Sequence, residues 1–347
     1  MNLVVVTKQF GNYTGATVST IQLLKKIAKN FVNVTVLTLR SDGTTIENVD
    51  VVIVNGYLKL IKQLKKTAEE QKPLGYSDDH LGFIFAFFGI KYIHTYHGNW
   101  PDARYLNASM YLKSYYFIPL YKLTIKHASL VVNVSYYMKN KFVDKLNSNN
   151  VVIYNGVKQS QGKKSSSCKE NNKFLMVGNV DKRKYGNALK VFDILQTLSF
   201  HGTIDIYGNL VDKEIVSRLN TYSFVKLYGS VDNINYSEYS ALICTSASEN
   251  LPVSIVESLI NNIPVIAFNV GGIPEVVKDK ENGYIFKKNN FKDFAYKIVK
   301  FKYPSDTNKS AEKILKRFSW DHASQKYLSF FERQIARNNL NEFSDVD

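Results

Sequence analysis

Two glutamates eight residues apart, Glu249 and Glu257, stand in the run Thr245-Ser-Ala-Ser-Glu-Asn-Leu-Pro-Val-Ser-Ile-Val-Glu-Ser-Leu259, where a buried apolar stretch gives way to a helical pattern. Pro252 suits the first turn of that helix, because its missing N–H is one of the donors a helix start leaves unbonded anyway. Glu249 is then expected in the loop before the helix and Glu257 about two turns inside it. One carboxylate can face the reacting end of a ligand and the other its far end. The backbone N–H groups around Asn250 and Leu251 are expected to be open donors of the helix start, and with the helix dipole they suit an anion such as a diphosphate. A further candidate is His97 in Thr95-Tyr-His-Gly-Asn-Trp100, at the carboxyl end of a strand and beside Gly98, where a cleft wall is expected. His94, on the opposite face of the same strand, reads as structural.

These residues need elements to hold them. Short β-branched runs alternate with stretches of helical period, the pattern of parallel sheets covered by helices, so the fold class is α/β. Strands are expected at Leu3 to Thr7, Val34 to Leu39, Val51 to Val54, Tyr92 to Thr95, Leu130 to Val134 and Val151 to Tyr154. A second series runs through Phe174 to Val177, Ile204 to Tyr207, Val225 to Tyr228, Ala241 to Thr245 and Val265 to Phe268. Their apolar character suits strands buried on both faces. Over Thr17 to Asn30, Val18, Ile21, Leu24 and Ala28 repeat at helical spacing while Lys25, Lys26 and Lys29 face away, which predicts an amphipathic crossover helix. The polar stretch 158–172 has little to bury and is expected to link two domains, 1–157 and 158–319. A last helix of about 320–337 follows, and Asn338 to Asp347 reads as a frayed polar tail. Two doubly wound domains bind ligands at the carboxyl ends of their strands.

Composition narrows the function classes. The 347 residues exceed one ordinary domain of ~150, and 45% hydrophobic with 22% charged content is that of a globular chain. The longest apolar run, Leu81 to Ile90, is about half of a membrane-spanning helix, and no signal peptide is readable at Met1. Cys168 and Cys244 form neither a disulfide framework nor a zinc pattern, so a cytoplasmic chain is expected. Asp345-Val-Asp347 and Asp78-Asp79-His80 lack partners for a cation and read as solvated surface, so no metal is expected. A net charge of +15 favours polyanions such as phosphates or an anionic membrane. Its dispersal among acids, with no nucleic-acid module, argues against nucleic acid. Aromatics and lysines mix between Tyr105 and Lys145, a composition that fits either an anionic bilayer surface or a half-buried helix with a lysine face.

Ser248-Glu-Asn-Leu-Pro-Val-Ser-Ile-Val-Glu257, followed by Pro264-Val-Ile-Ala-Phe-Asn-Val-Gly-Gly-Ile-Pro-Glu275, resembles glycosyltransferase family 4, retaining enzymes of the GT-B fold. The resemblance implies two Rossmann-like domains, an N-terminal one for the acceptor and a C-terminal one for a nucleotide-sugar donor. It also implies a C-terminal helix that crosses back to the first. Thr14-Gly15-Ala16-Thr17 is similar to the family's glycine pair near the donor phosphates or acceptor, with Ala16 where the second glycine is usual. Thr95-Tyr-His-Gly-Asn-Trp100 resembles its histidine loop, which gives His97 a role at the donor sugar. Phe174 to Lys184 looks like its strand and basic loop, where an Arg and a Lys clamp the diphosphate; Lys184 matches the Lys, Asn179 stands at the Arg position, and Arg183 or Lys182 can compensate.

The implied activity is transfer of a sugar from a nucleoside-diphosphate sugar to an acceptor hydroxyl, with Glu249 on the donor sugar, Glu257 on the ribose, and no cofactor. The acceptor expected from the family is a saccharide or lipid-linked saccharide of bacterial surface polysaccharide, O-antigen or capsule, met at the inner face of the cytoplasmic membrane. A catalytically silent nucleotide-sugar binder and a nucleotide-sugar epimerase of the same fold stay open as alternatives.

Overall fold

A computed structural model describes residues 1–157, 172–231 and 233–344; the expected linker 158–172 lies outside them except for Asn172. The chain forms two compact units, Met1–Gly156 with Phe318–Asp347, and Val157–Arg317.

The first unit is built on a seven-stranded parallel sheet: β1 Leu3–Thr7, β2 Val34–Thr38, β3 Val49–Ile53, β4 Leu74–Ser77, β5 Tyr92–Tyr96, β6 Leu130–Asn133 and β7 Asn150–Val152, in the order β3-β2-β1-β4-β5-β6-β7. Every residue of β1 is buried, as its Val-rich sequence requires of a strand with helices over both faces. One side of the sheet packs Leu3 and Val5 on Ile21, Leu24 and Ile27 of the helix Gly15–Ile27. The other packs Val4 and Val6 with Leu60, Leu64 and Phe85. The helix Gly15–Ile27 begins with a capping box: Thr14 Oγ1 accepts from the Thr17 N–H at 3.3 Å, and Thr17 Oγ1 accepts from the Thr14 N–H at 3.0 Å. Lys25, Lys26 and Lys29 face solvent, whereas Val18 is only half-buried and Leu23 and Ile27 complete the apolar stripe.

The helix Trp320–Ser344 returns to this unit and continues through most of the segment expected as a frayed tail. Ala323, Tyr327 and Phe331 are buried in the same core as Ile21 and Leu24. The Phe331 ring meets Phe31 edge-on with centroids 5.4 Å apart, and the Tyr327 hydroxyl pairs with that of Thr95 at 2.8 Å. The turn Tyr154-Asn-Gly-Val157 packs on the returning chain, with Tyr154 4.7 Å from the Phe318 ring.

The second unit carries a six-stranded parallel sheet: β8 Lys173–Val177, β9 Thr203–Tyr207, β10 Val225–Gly229, β11 Ala241–Cys244, β12 Val265–Phe268 and β13 Gly283–Phe286, in the order β10-β9-β8-β11-β12-β13. Its crossovers include the helices Lys182–Thr197 and Val253–Ile260.

In each sheet the chain first builds outward to one side and then returns to the other. Strand order therefore reverses between β1 and β4 in one unit and between β8 and β11 in the other. Such a reversal sends the connecting segments to opposite faces and opens a crevice at the carboxyl ends of the two strands. β4 and β13 are absent from the expected strands. Gly75 and Ser77 interrupt any β-branched run in β4, and Gly283 opens β13.

Candidate functional site

The crevice of the second unit gathers most of the predicted residues. β8 ends at Val177, and Gly178 with φ +135° turns the chain into the helix Lys182–Thr197. A Cβ on Gly178 would lie 2.2 Å from Lys184 Nζ, so the glycine lets the ammonium cross close over the backbone. Asp181 caps this helix, its carboxylate accepting from the Lys184 N–H at 2.9 Å. The cap fixes the first turn from which Arg183 and Lys184 project.

β11 ends at Cys244, and the loop after it leads to Glu249. Arg183 Nη1 donates to Glu249 Oε1 at 2.8 Å and to the Ser248 carbonyl at 2.9 Å, and Lys184 Nζ is 3.9 Å from the same carboxylate oxygen. The loops are also bonded through backbone: the Ala247 N–H donates to the Arg183 carbonyl at 2.9 Å, and Thr245 Oγ1 to the Lys184 carbonyl at 2.9 Å. Burial alone would lower the Arg183 pKa, but the carboxylates of Glu249 and Asp181 move it upward, so the guanidinium stays charged. Gly271, at φ +59°, fits against the other side; a Cβ there would stand 1.8 Å from the Glu249 carbonyl oxygen.

The helix expected around Pro252 begins one residue later, at Val253, with Pro252 as its cap. Asn250 and Leu251 accordingly belong to the loop ahead of it, and the first-turn amides are those of Val253 and Ser254. Glu257 is the fifth residue of Val253–Ile260, little more than one turn inside instead of two. It is half-buried, accepts from the Tyr236 hydroxyl at 3.1 Å, and has its pKa raised by burial. Tyr236 lies in the connection between β10 and β11, where no sequence pattern marks it as a partner for a carboxylate. Asn179 is exposed and accepts from the Asn209 side-chain amide at 3.3 Å. At the ends of β9 and β10, the rings of Tyr207 and Tyr228 stack at 4.8 Å.

His97 and Gly15 belong to the first unit. Gly15 is exposed at the start of its helix, with open space where a Cβ would stand. His97 is one residue past β5, in a loop held by a hydrogen bond from the Tyr96 hydroxyl to the Trp100 carbonyl at 2.8 Å. Burial lowers its pKa to about 4, so the imidazole is neutral near neutral pH, and its Nε2 is buried without a hydrogen-bond partner. His94 is fully buried and bonded through Nδ1 to the Ser77 hydroxyl at 2.9 Å.

The expectation of solvated surface at Asp78-Asp79-His80 is corrected. These residues follow β4, and Asp78 and His80 are 4% and 3% exposed. The central place of β4, between β1 and β5, draws them into the crevice. Among the described residues, no three His, Cys, Asp or Glu side chains form a cluster suited to a metal ion. No helix of the described residues is long and apolar enough to cross a membrane.

Comparison with known proteins agrees with this architecture. Residues 13–161 match the family described as Glycosyltransferase Family 4, and 157–318 match Glycosyl transferases group 1. The uncharacterized glycosyltransferase MJ1178 of Methanocaldococcus jannaschii is 30% identical over 67% of this chain and 65% of its own length. An uncharacterized 41.2 kDa protein in the cps region of Klebsiella pneumoniae is 29% identical over 53% of each chain. The chain spans between half and two thirds of the length of the curated relatives it matches first. The crystal structure of Anabaena Alr3699/HepE in complex with UDP-glucose superposes with a TM-score of 0.76, at 17% identity, over 96% of this chain and all of that one. Two parallel α/β sheets of this order and two consecutive domain matches place the chain among the family 4-type glycosyltransferases of the GT-B fold.

Proposed function

We propose that the chain transfers a sugar from a nucleoside-diphosphate sugar to a hydroxyl of an acceptor saccharide, with retention at the anomeric carbon. The observation that carries this reading is the convergence of Arg183 and Lys184 on Glu249 at the start of one helix. A glycosidic bond to a diphosphate breaks with negative charge growing on the leaving phosphate and positive charge on the sugar ring. Two cations within ion-pair distance of one carboxylate supply both complements, and fixed charges of this kind need no reorganisation during the reaction. Amides of the Asn250 and Leu251 loop add donors for the diphosphate, Glu257 accepts from ribose hydroxyls, and Asn179 stands at the donor's side. In the first unit, His97 and Gly15 are the residues that the family resemblance assigns to the donor. The HepE complex, which holds UDP-glucose, supports a donor of this class.

The test is turnover with a panel of nucleotide sugars, run in EDTA because the two cations take the place of a metal. Acceptor-dependent release of nucleoside diphosphate and a product of unchanged anomeric configuration are expected. Lys184→Ala should lower kcat by roughly 10²-fold. Release of free isomer without any acceptor, or no turnover with any donor, would overturn the reading.

We further propose a lipid-linked acceptor of bacterial surface polysaccharide, met by the cytoplasmic chain at the inner membrane face. The support is the helix Ala108–His127, where Tyr111, Leu112 and Tyr115 are exposed near the exposed Lys113. Interfacial aromatics with lysine suit an anionic bilayer surface. Sedimentation with anionic vesicles at low salt should retain the protein, and Lys113→Glu should weaken retention; equal retention by neutral vesicles would speak against this attachment.

A further inference from the structure

β10 and β11 are joined by the connection 230–240, whose described residues form no α-helix and only one turn of 3-10 helix, Tyr236–Glu238. A parallel crossover without a helix of its own lacks a ladder of backbone bonds, so side chains must fix its shape. Glu238 pairs with Lys173 Nζ at 3.0 Å and accepts from the Asn235 side-chain amide at 2.9 Å. The Tyr239 hydroxyl donates to Asp205 Oδ2 at 3.0 Å and pairs with the Tyr207 hydroxyl at 3.0 Å. Tyr239 and Asp205 are each 1% exposed. Buried polar bonds of this kind select one arrangement, because any other would leave the same groups unpaired.

The turn held in this way brings Tyr236 to Glu257. Tyr236 is 6% exposed, and its hydroxyl donates to Glu257 Oε2 at 3.1 Å. Burial, and after it the Glu257 carboxylate, raises the pKa of this hydroxyl, so it stays a donor. Burial also raises the pKa of Glu257, and the bond from Tyr236 opposes that rise, favouring the charged and accepting form. Only Oε2 is occupied; Oε1 makes no hydrogen bond among the described residues. A glutamate side chain ends in a broad torsion, and a partner on one oxygen removes that freedom before a ligand arrives. A phenylalanine ring would fill the same space, and the one partner of the added hydroxyl is Glu257.

We propose that Tyr236 is a positioning residue for nucleoside recognition: by holding Oε2 it aims Oε1 at the ribose hydroxyls of the donor, and so makes the site select ribonucleotides over nucleotides that lack those hydroxyls. The inference rests on the donor reading of Glu257 and adds to it the residue through which the selectivity acts.

Calorimetric titration of the full chain with UDP, ADP and GDP, and with the 2′,3′-dideoxy form of whichever binds tightest, tests the proposal. The parent should prefer the ribose form by about tenfold or more, since a group placed to accept from a hydroxyl is left unpaired by the analogue without it. Tyr236→Phe should weaken the ribose form by roughly three- to tenfold and leave the dideoxy form within about twofold, so that the preference narrows. Added to Glu257→Gln, Tyr236→Phe should have little further effect, because the two residues act through one contact. If Tyr236→Phe lowers the melting temperature, Glu238→Ala, which releases the turn from Lys173 at a half-exposed position, is the second variant, with the same narrowing expected. Equal weakening of both forms, an unchanged preference, or losses that add fully to those of Glu257→Gln would each overturn the role of Tyr236 while leaving the donor reading in place. Absence of binding by all three diphosphates would instead remove the donor reading, and this inference with it.

Discussion

Glu257 and Glu249 are both carboxylates, yet their surroundings fit them for different tasks. Glu249 is held against Arg183 and Lys184, whereas Glu257 has one hydroxyl partner, Tyr236, and no cation within ion-pair distance among the described residues. A half-buried carboxylate with spare acceptor capacity can bind hydroxyls of a ligand. Glu257→Gln keeps the volume and removes the charge, so donor affinity should fall by roughly ten- to a hundredfold, read by calorimetric titration. An unchanged affinity would separate Glu257 from the donor.

At this scale the sequence was a good guide where a motif fixed spacing, and a poor one where only the fold creates proximity. The Glu249–Arg183 pair joins residues 66 positions apart. Nothing in either local run announces that contact; it follows from β8 and β11 lying side by side. Asp78 was misread for the same reason, since two acids and a histidine in sequence look like surface until the strand before them is placed in the sheet centre.

Among the elements, the legible strands were those with unbroken β-branched runs, such as β1 and β12. β4 escaped because it meets a packing demand that removes those residues. A Cβ on Gly75 would approach 2.7 Å from Tyr92 Cβ and 2.9 Å from the Phe85 ring, so this position excludes the side chains that mark a strand. A similar constraint governs the loop after β12. Gly271→Ala would force the Glu249 carbonyl aside from a backbone of φ +59°, at a cost of about 1–3 kcal/mol. We expect a lower melting temperature together with a loss of turnover larger than that of a distant variant of equal stability.

The elements around β5 also give the first unit an acid-sensitive stability. Burial lowers His80 and His97 to about 4 and His94 to about 3, with Lys8 adding to the effect at His80 and His97 to that at His94. Above the ordinary value of 6.5 these rings are neutral in both folded and unfolded chains. As pH falls below it, the unfolded chain takes up protons that the folded one refuses, so stability declines toward about pH 4. Asp78 and Asp79 act in the opposite sense. Burial raises their pKa values, the folded chain holds protons that the unfolded one releases, and their share of stability is lost as pH rises through the raised values. His94→Gln removes one imidazole and leaves the carboxyls in place. Between about pH 7 and about pH 5 its melting temperature should fall less than that of the parent, by about 2 kcal/mol or roughly 4–8 °C. Parallel acid limbs for the two proteins would contradict this account.

Across the whole molecule, the two units repeat one device, a reversal of strand order that gathers polar residues at the carboxyl ends of central strands. Fold class and the duplication were legible because alternating apolar runs and helical periods are properties of local sequence. The set of residues that each crevice collects was less so, since it depends on the order of the strands. The helix Trp320–Ser344 carries a separate consequence. Tyr327 and Phe331 close a core that includes Ile21, Leu24 and Phe31 from near the opposite end of the chain. On the ribosome, the second unit is contiguous and is fully synthesised first, whereas the earlier-made unit waits with an open apolar groove for the final helix to emerge. The order of synthesis and the order of completion are therefore reversed, and a nascent chain halted before residue 320 presents that groove to chaperones.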